Sequence, residues 1–281
     1  MRKNIALVCN PTPDNAKALR VAFELTQMLG SKGIDYTLFD AAWPTAWASF
    51  SEAWIVGGDG TLNHFINRYP DLSLPMTLFK GGSGNDFHSM LYSNVTTLQQ
   101  AEQVLQGKTV AVDAGVCNGK LFLNGVGVGF DGAIVKDLLG KRKMAGKASY
   151  LLSILKQIAF YQEQSYTIHS DTQQISGDCL MVSVANGRRY GGAFHVAPKA
   201  LLNDGLLDLN IVGKIPPLSR IKYLPIIEKG EHLQLPFVRY EQTAKVLISA
   251  ANPSAAHLDG ELLDGSVFEI TCLPGKFRFL V

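Results

Sequence analysis

"IVGGDGTLNHF" (residues 55–65) decides how this chain is read, because an apolar run there meets two glycines, an aspartate, a third glycine and a threonine. Such a turn can simply reverse the chain. It can also cradle phosphate: glycines let the backbone approach a ligand closely and aim successive N–H groups into one hollow. A helix starting near Thr61 would add the positive end of its dipole. Asp59 is out of place in a pure anion nest, and suits work on a metal ion, a proton or a hydroxyl group.

The motif has an echo in "FKGGSGNDF" (79–87), where Gly81, Gly82, Ser83, Gly84, Asn85 and Asp86 follow a second apolar run. Two glycine-rich turns at the ends of neighbouring strands can embrace one ligand. Neither has the Gly-Lys-Ser/Thr of a Walker loop or the dinucleotide-binding spacing, so the pair describes a different phosphate site.

Outward from these turns, short apolar runs alternate with helical patterns. "NIALVC" (4–9), "IDYTLF" (34–39), "AWIV" (53–56) and "PMTLF" (75–79) read as strands. Residues 14–30 carry Ala18, Val21, Ala22, Leu25, Met28 and Leu29 at helical spacing, with Asp14 placed to cap and Gly30 and Gly33 to terminate. Alternation of this kind predicts a doubly wound α/β domain over residues 1–110, with ligands at the carboxyl ends of its strands. From residue 108 the pattern changes to hairpin-like strands. A long helix is expected from Asp131 to Gln164 and a shorter one over 217–229. Strands are expected at 179–187, 206–212, 244–250, 267–272 and 276–281. A mostly antiparallel β-sandwich over 111–281 follows, with the last strands free to return toward the first domain.

Composition narrows the function. The 281 residues are 47% hydrophobic with a net charge of +2, and no basic stripe interleaved with aromatics suggests nucleic acid as a partner. Four scattered cysteines read as buried thiols in a reducing compartment. "MRKNIALVCNP" is too short in its apolar run for a secretory signal, and no stretch approaches bilayer length. A cytoplasmic location is the expectation.

The two turns resemble the catalytic domain of the diacylglycerol kinase and sphingosine kinase superfamily, and the chain looks closest to its bacterial soluble lipid kinases. "GGDGTLN" (57–63) and "GSGNDF" (82–87) carry the likeness, with "NP" (10–11), "FLNGVGVGFDG" (122–132), "ANGRRYGGAFHVAPKALLNDGLLDL" (185–209) and "LDGE" (258–261) in the same order. The resemblance implies an NAD kinase-like first domain and a lipid kinase using ATP and Mg2+. Asn10, Pro11, Gly57, Gly58, Asp59, Gly60, Thr61, Leu62, Asn63, Gly82, Ser83 and Asn85 would hold the nucleotide. Glu261 would be the general base, with Asp259 as a competing candidate, and Asp59 would organise phosphates and magnesium. A structural metal would sit on Asp204 with the carbonyls of Leu201 and Leu206.

Several positions depart from the family pattern. No Ser-Gly follows Asn10-Pro11, Asp40 and Ala41 stand where a threonine is common, His64 replaces an acid, and His88-Ser89 replaces Ala-Arg. Residues 136–147, with Lys136, Lys141, Arg142, Lys143 and Lys147 before the apolar "ASYLLSILKQIAFY", suit attachment to anionic headgroups. The same stretch also reads as a solvated charge run leading into a core helix. The expected partner is a lipid substrate at a membrane surface. Edge strands of the second half leave a homodimer open. A kinase of a soluble hydroxyl compound and a nucleotide-binding regulator are the alternatives.

Overall fold

The computed structural model describes residues 3–10, 16–92, 94–139, 147–191 and 194–281, and of 147–151 the backbone alone. It divides into two units, one of Met1–Val112 with Gly275–Val281 and one of Asp113–Pro274.

The first unit runs β1 (Asn4–Cys9), α1 (Ala16–Ser31), β2 (Asp35–Phe39), β3 (Glu52–Gly57), α2 (Asp59–Arg68), β4 (Met76–Lys80), α3 (Asp86–Leu91) and α4 (Thr97–Leu105). Its strands pair in parallel in the order β2-β1-β3-β4, with Val8 opposite Phe39 and Ile55, and Val56 opposite Phe79. The returning carboxyl end adds Phe279 in parallel beside Met76. Strands β1 and β3 are almost wholly buried, as a sheet covered on both faces demands. Helix α1 explains how one face is covered. Ala18, Val21, Ala22, Leu25 and Leu29 are buried against Ile5, Leu7, Trp54, Val56 and Phe79, together with Ala101 and Val104 of α4. Each large apolar side chain so removed from water contributes about 1.5–3 kcal/mol. Helix α4 was not expected, although Thr96 and Gln99 form a capping box whose spacing is written in the sequence.

The second unit contains most of β5 (Thr109–Cys117), then β6 (Lys120–Phe122), β7 (Gly125–Gly129), α5 (Phe130–Leu139), α6 (Lys147–Phe160), β8 (Gln164–Ser170), β9 (Gln174–Ala185), β10 (Leu207–Gly213), α7 (Pro217–Glu228), β11 (Val238–Thr243), β12 (Lys245–Leu258) and most of β13 (Glu261–Leu280). All these pairings are antiparallel where a register is defined. Strands β9 and β12 each give one half to β7 and the other to β8. The register shift in β12 between Ser249 and Ser254 separates its two halves, which is the bend a bulge supplies. Val126, Val128, Tyr166, Ile168, Val182, Val184, Ile248 and Phe268 fill the space so enclosed.

Several expectations are corrected. Of the helix expected from Asp131 to Gln164, the described residues form α5 and α6, and α6 stops at Phe160 because Gln164 already begins the alternating, half-buried strand β8. The runs at 267–272 and 276–281 belong to one strand, β13, which passes through Pro274-Gly275 with Gly275 in the left-handed region at φ 58°. Strand β12 likewise continues through Asn252-Pro253 to Leu258. Asp14, and Lys141, Arg142 and Lys143 of the basic stretch, lie outside the described residues, as does the Lys147 side chain. The described Lys136 pairs with Asp264 at 3.0 Å.

Candidate active site

Helix α2 begins at Asp59, two residues earlier than expected, with Gly58 as its N-cap in extended backbone and no side-chain cap. A helix start of this kind leaves its first amides for an external acceptor. Gly60 is exposed, and a Cβ there would meet nothing within 4 Å. Thr61 folds back over Gly57, where an added Cβ would come within 2.4 Å of the Thr61 Cβ, and its Oγ1 accepts from Asn10 Nδ2 at 3.3 Å. Asn10 thus ties the end of β1 to the first turn of α2.

The second turn is braced from within. Asn85, left-handed at φ 60°, accepts from the Gly82 N–H at 3.1 Å and donates to the Gly82 carbonyl at 2.9 Å. The two turns then lock together. Gly81 N–H donates to Gly57 O at 2.8 Å, and a Cβ on Gly82 would stand 2.5 Å from Gly58 Cα. Asp59 closes the joint: Oδ2 accepts from Asp86 N–H at 3.0 Å and Oδ1 from Phe87 N–H at 2.9 Å, at the start of α3. Four of the glycines therefore serve the approach of turn to turn. What remains open is the α2 N-terminus, Gly60, and the exposed Ser83 and Gly84.

Other members of the expected nucleotide set have different surroundings. Leu62 is buried, so only its backbone is available. Asn63 is also buried, and its Oδ1 accepts from Asn67 at 3.3 Å. Pro11 lies outside the described residues. His64, one of the departures, lies against Trp43 with ring centroids 5.0 Å apart. His88, another, is a core group: it bonds Gln100 at 2.9 Å, stacks on Tyr92, and burial pulls its pKa below the usual 6.5.

In the second unit, Leu258 and Glu261 face each other across a two-residue turn in which Asp259 and Gly260 have φ of 48° and 90°. That is the backbone of a type I′ hairpin, which suits Asp-Gly. Glu261 points into solvent. Asp259 does not: its carboxylate accepts from Leu123 N–H, Asn124 N–H and Gly125 N–H, each at 2.9 Å. Three charge-assisted bonds make it the clamp that fixes the turn, and they leave Glu261 as the solvent-facing carboxylate of the pair.

The Leu201–Leu206 loop is tied to the same framework. Asp204 Oδ1 accepts from Leu206 N–H at 3.1 Å and Oδ2 from Gln242 at 3.1 Å. Asp113 accepts from Gly205 N–H at 2.7 Å, and its own amide donates to Leu202 O at 2.7 Å. Asn186 Nδ2 then donates to both Asp113 O and Leu123 O at 3.0 Å. A chain of contacts thus runs from the Asp204 loop through Asp113, Asn186 and Leu123 to Asp259. Sequence reading gave no role to Asp113, which belongs to no short motif, nor to Asn186, which lies within the 185–209 signature. Near this loop Asp208 accepts from Tyr240 at 2.6 Å, and burial pushes its pKa up to about 6. Among the described residues no group of three or more His, Cys, Asp or Glu could form a metal cage. The donors whose chemistry suits a hard cation are single carboxylates, Asp204 and Asp59.

Comparison with known proteins adds to this geometry. Residues 4–117 match the diacylglycerol kinase catalytic domain, and residues 124–281 match the YegS C-terminal NAD kinase beta sandwich-like domain. The chain belongs to this family of diacylglycerol kinase and YegS-type lipid kinases. It is 32% identical over 235 residues to a protein of Pectobacterium atrosepticum named "Probable lipid kinase YegS-like", covering 79% of this chain and 75% of that one. To the diacylglycerol kinase of Bacillus subtilis it is 29% identical over 225 residues, or 79% and 72% of the two chains. The crystal structure of a diacylglycerol kinase from Bacillus anthracis str. Sterne shares the fold, with TM-score 0.74 at 19% identity over 99% of this chain and 96% of that one.

Proposed function

We propose that this protein is an ATP- and Mg2+-dependent lipid kinase that phosphorylates a hydroxyl of diacylglycerol or a similar lipid at a membrane surface. The observation that carries the proposal is the pair of glycine turns locked by Asp59, with an uncapped helix start and an exposed Gly60 beside them, in a member of a lipid kinase family. Bound nucleotide and its metal would supply the phosphoryl group and neutralise its charge. The chain's part is positioning. Amides at the start of α2 and the Ser83 hydroxyl bind phosphate oxygens, Asn10 holds Thr61 in place, and Asp59 organises the phosphates and the cation. Glu261 accepts the proton of the attacking hydroxyl, the role for which an unencumbered carboxylate is suited. Asp259 positions Glu261, and Asp204 with the carbonyls of Leu201 and Leu206 holds a structural metal.

The test is ATP consumption by the purified protein with mixed micelles containing diacylglycerol, with related lipids and with no lipid. Lipid-dependent turnover abolished in Glu261→Ala supports the proposal. ATP binding without any lipid response turns the reading toward a soluble hydroxyl acceptor, for which the NAD kinase-like second domain is the supporting feature.

A further inference from the structure

The parallel sheet of the first unit ends on β2, which among the described residues pairs with β1 alone. Its outer edge therefore presents a row of backbone N–H and C=O groups to any strand that approaches. Soluble proteins blunt such an edge with lysine, proline, a bulge or a covering segment. "DYTLF" (35–39) contains neither lysine nor proline, and Asp35, Tyr36, Thr37 and Leu38 are all exposed. The cause is the seat of α1, which packs over Ile5 and Leu7 of β1 and Trp54 and Val56 of β3. Tyr36 stands beside Ile5 and Leu38 beside Leu7, so both lie on the α1 face of the sheet, yet each is 37% exposed. Leu19 and Phe23 follow one another on α1 at a spacing of one turn, and Phe23 is 64% exposed. Just past the end of α1, Lys32 pairs with Glu102 of α4 at 3.0 Å on the opposite flank, so Leu19 and Phe23 sit on the flank turned to β2. Four exposed apolar side chains thus border an open strand edge.

We propose that β2 is a dimerisation strand: it pairs antiparallel with β2 of a second copy of this chain across a two-fold axis, joining the two sheets. A second copy is the occupant that the side chains themselves match. Residues directly opposite in an antiparallel pair share a face, so an axis normal to the sheet passes through one residue of β2. At Leu38 it would set Tyr36 against Asp40. At Thr37 it would set Asp40 next to Asp35 of the other copy, a like-charge contact. At Tyr36 it sets Tyr36 against itself and Leu38 against Ile34 on the α1 face, and Asp35 against Thr37 on the other face. Asp40 then falls toward Lys32 of the other copy, so opposite charges close each end of the pairing. Aromatic and aliphatic cross-strand pairs of this kind stabilise a sheet beyond its hydrogen bonds. Leu19 and Phe23 add apolar area on the same face of both copies. The pairing asks nothing of the lipid-kinase reading. It also moves the homodimer contact from the edge strands of the second half, where the sequence left it open, to the first unit.

Sedimentation velocity of the purified chain over a concentration series, with cysteine cross-linking, tests the pairing. The wild type should sediment as a dimer that dissociates on dilution. Leu38→Lys and Phe23→Ser change exposed side chains, should keep the wild-type circular dichroism spectrum, and should each weaken the dimer about tenfold or more, since every substitution occurs twice across a two-fold. All four native cysteines are buried, so an introduced thiol reports without competition. Tyr36→Cys should form a disulfide-linked dimer under mild oxidation, because residues directly opposite stand about 4.5–5.5 Å apart. Thr37→Cys should not, because its counterpart lies on the diagonal, roughly 7–8 Å away. A wild type that stays monomeric at every concentration overturns the proposal. So does a dimer that persists undiminished in both Leu38→Lys and Phe23→Ser, which would assign the contact to another surface. Linking through Thr37→Cys in place of Tyr36→Cys overturns it as well.

Discussion

Asp59, in the first turn of α2, accepts the backbone N–H of Asp86 at 3.0 Å, and so the carboxylate of one glycine turn is the N-terminal partner of the helix that follows the other. A residue read as catalytic is also a structural bolt. Its two oxygens hold two amides at the start of α3.

These two roles separate by substitution. Asp59→Ala strands two amides at the start of α3 and should cost about 1–3 kcal/mol of stability. Asp59→Asn keeps one acceptor oxygen, should stay closer to the wild type in denaturant unfolding, and should still lose roughly a hundredfold or more in turnover. Full activity in Asp59→Asn would reduce the residue to its structural role.

Glu261 and Asp259 should behave oppositely. Glu261→Ala removes an exposed side chain and should change stability by less than about 0.5 kcal/mol while lowering turnover by roughly 100- to 10,000-fold. Asp259→Ala removes the acceptor of three amides and should destabilise by about 1–3 kcal/mol. Guanidinium melts with ATP-consumption assays on both variants distinguish base from clamp. An active Glu261→Ala would move the base elsewhere.

The glycines divide in the same manner. A Cβ at Gly82 meets the backbone of Gly58 at 2.5 Å, so Gly82→Ala should cost about 1–3 kcal/mol. Gly60→Ala meets nothing within 4 Å and should fold normally. Its methyl group instead stands beside the α2 amides, and titration calorimetry should register weaker ATP binding.

Stability should fall with acid from a specific pair of groups. Burial holds His88 and His232 neutral, with pKa values below the 6.5 of a free imidazole. Below about pH 6.5 the unfolded chain takes up protons that the folded chain refuses, so their favourable contribution is fully present above that pH and is lost as pH falls toward the folded values. Each group contributes at most about 1.4 kcal/mol per pH unit over that window. Chemical denaturation at pH 7.5 and 5.5 should show the drop, and His88→Gln, which leaves an amide donor for Gln100, should lessen it.

The loop of Asp204 gives a last test. Magnesium should raise the melting temperature of the wild type and leave Asp204→Ala unmoved, because the variant lacks the single carboxylate of the expected site. Equal shifts in both proteins would remove this loop as a metal site.

Much of this was written locally in the chain. Apolar runs alternating with helical spacing announced the α/β unit, and the glycine turns announced where a ligand would bind, since both follow from backbone geometry over a few residues. Asp-Gly at 259–260 was legible as a hairpin turn for the same reason. The single long strand β13 was not, because Pro274-Gly275 reads as a break and Gly275 is indeed left-handed, yet the strand resumes beyond it.

What only the tertiary structure decided is what each group faces. Asp59 reaches amides 27 and 28 residues away, and Asp259 reaches amides more than 130 residues away. Strand β2 bares Tyr36 and Leu38 because α1 packs over β1 and β3 instead. Periodicity and turn chemistry act between near neighbours and can be read in order. Carboxylate partners and exposed faces depend on which distant backbone folding brings within about 3 Å, and no run of adjacent residues encodes that.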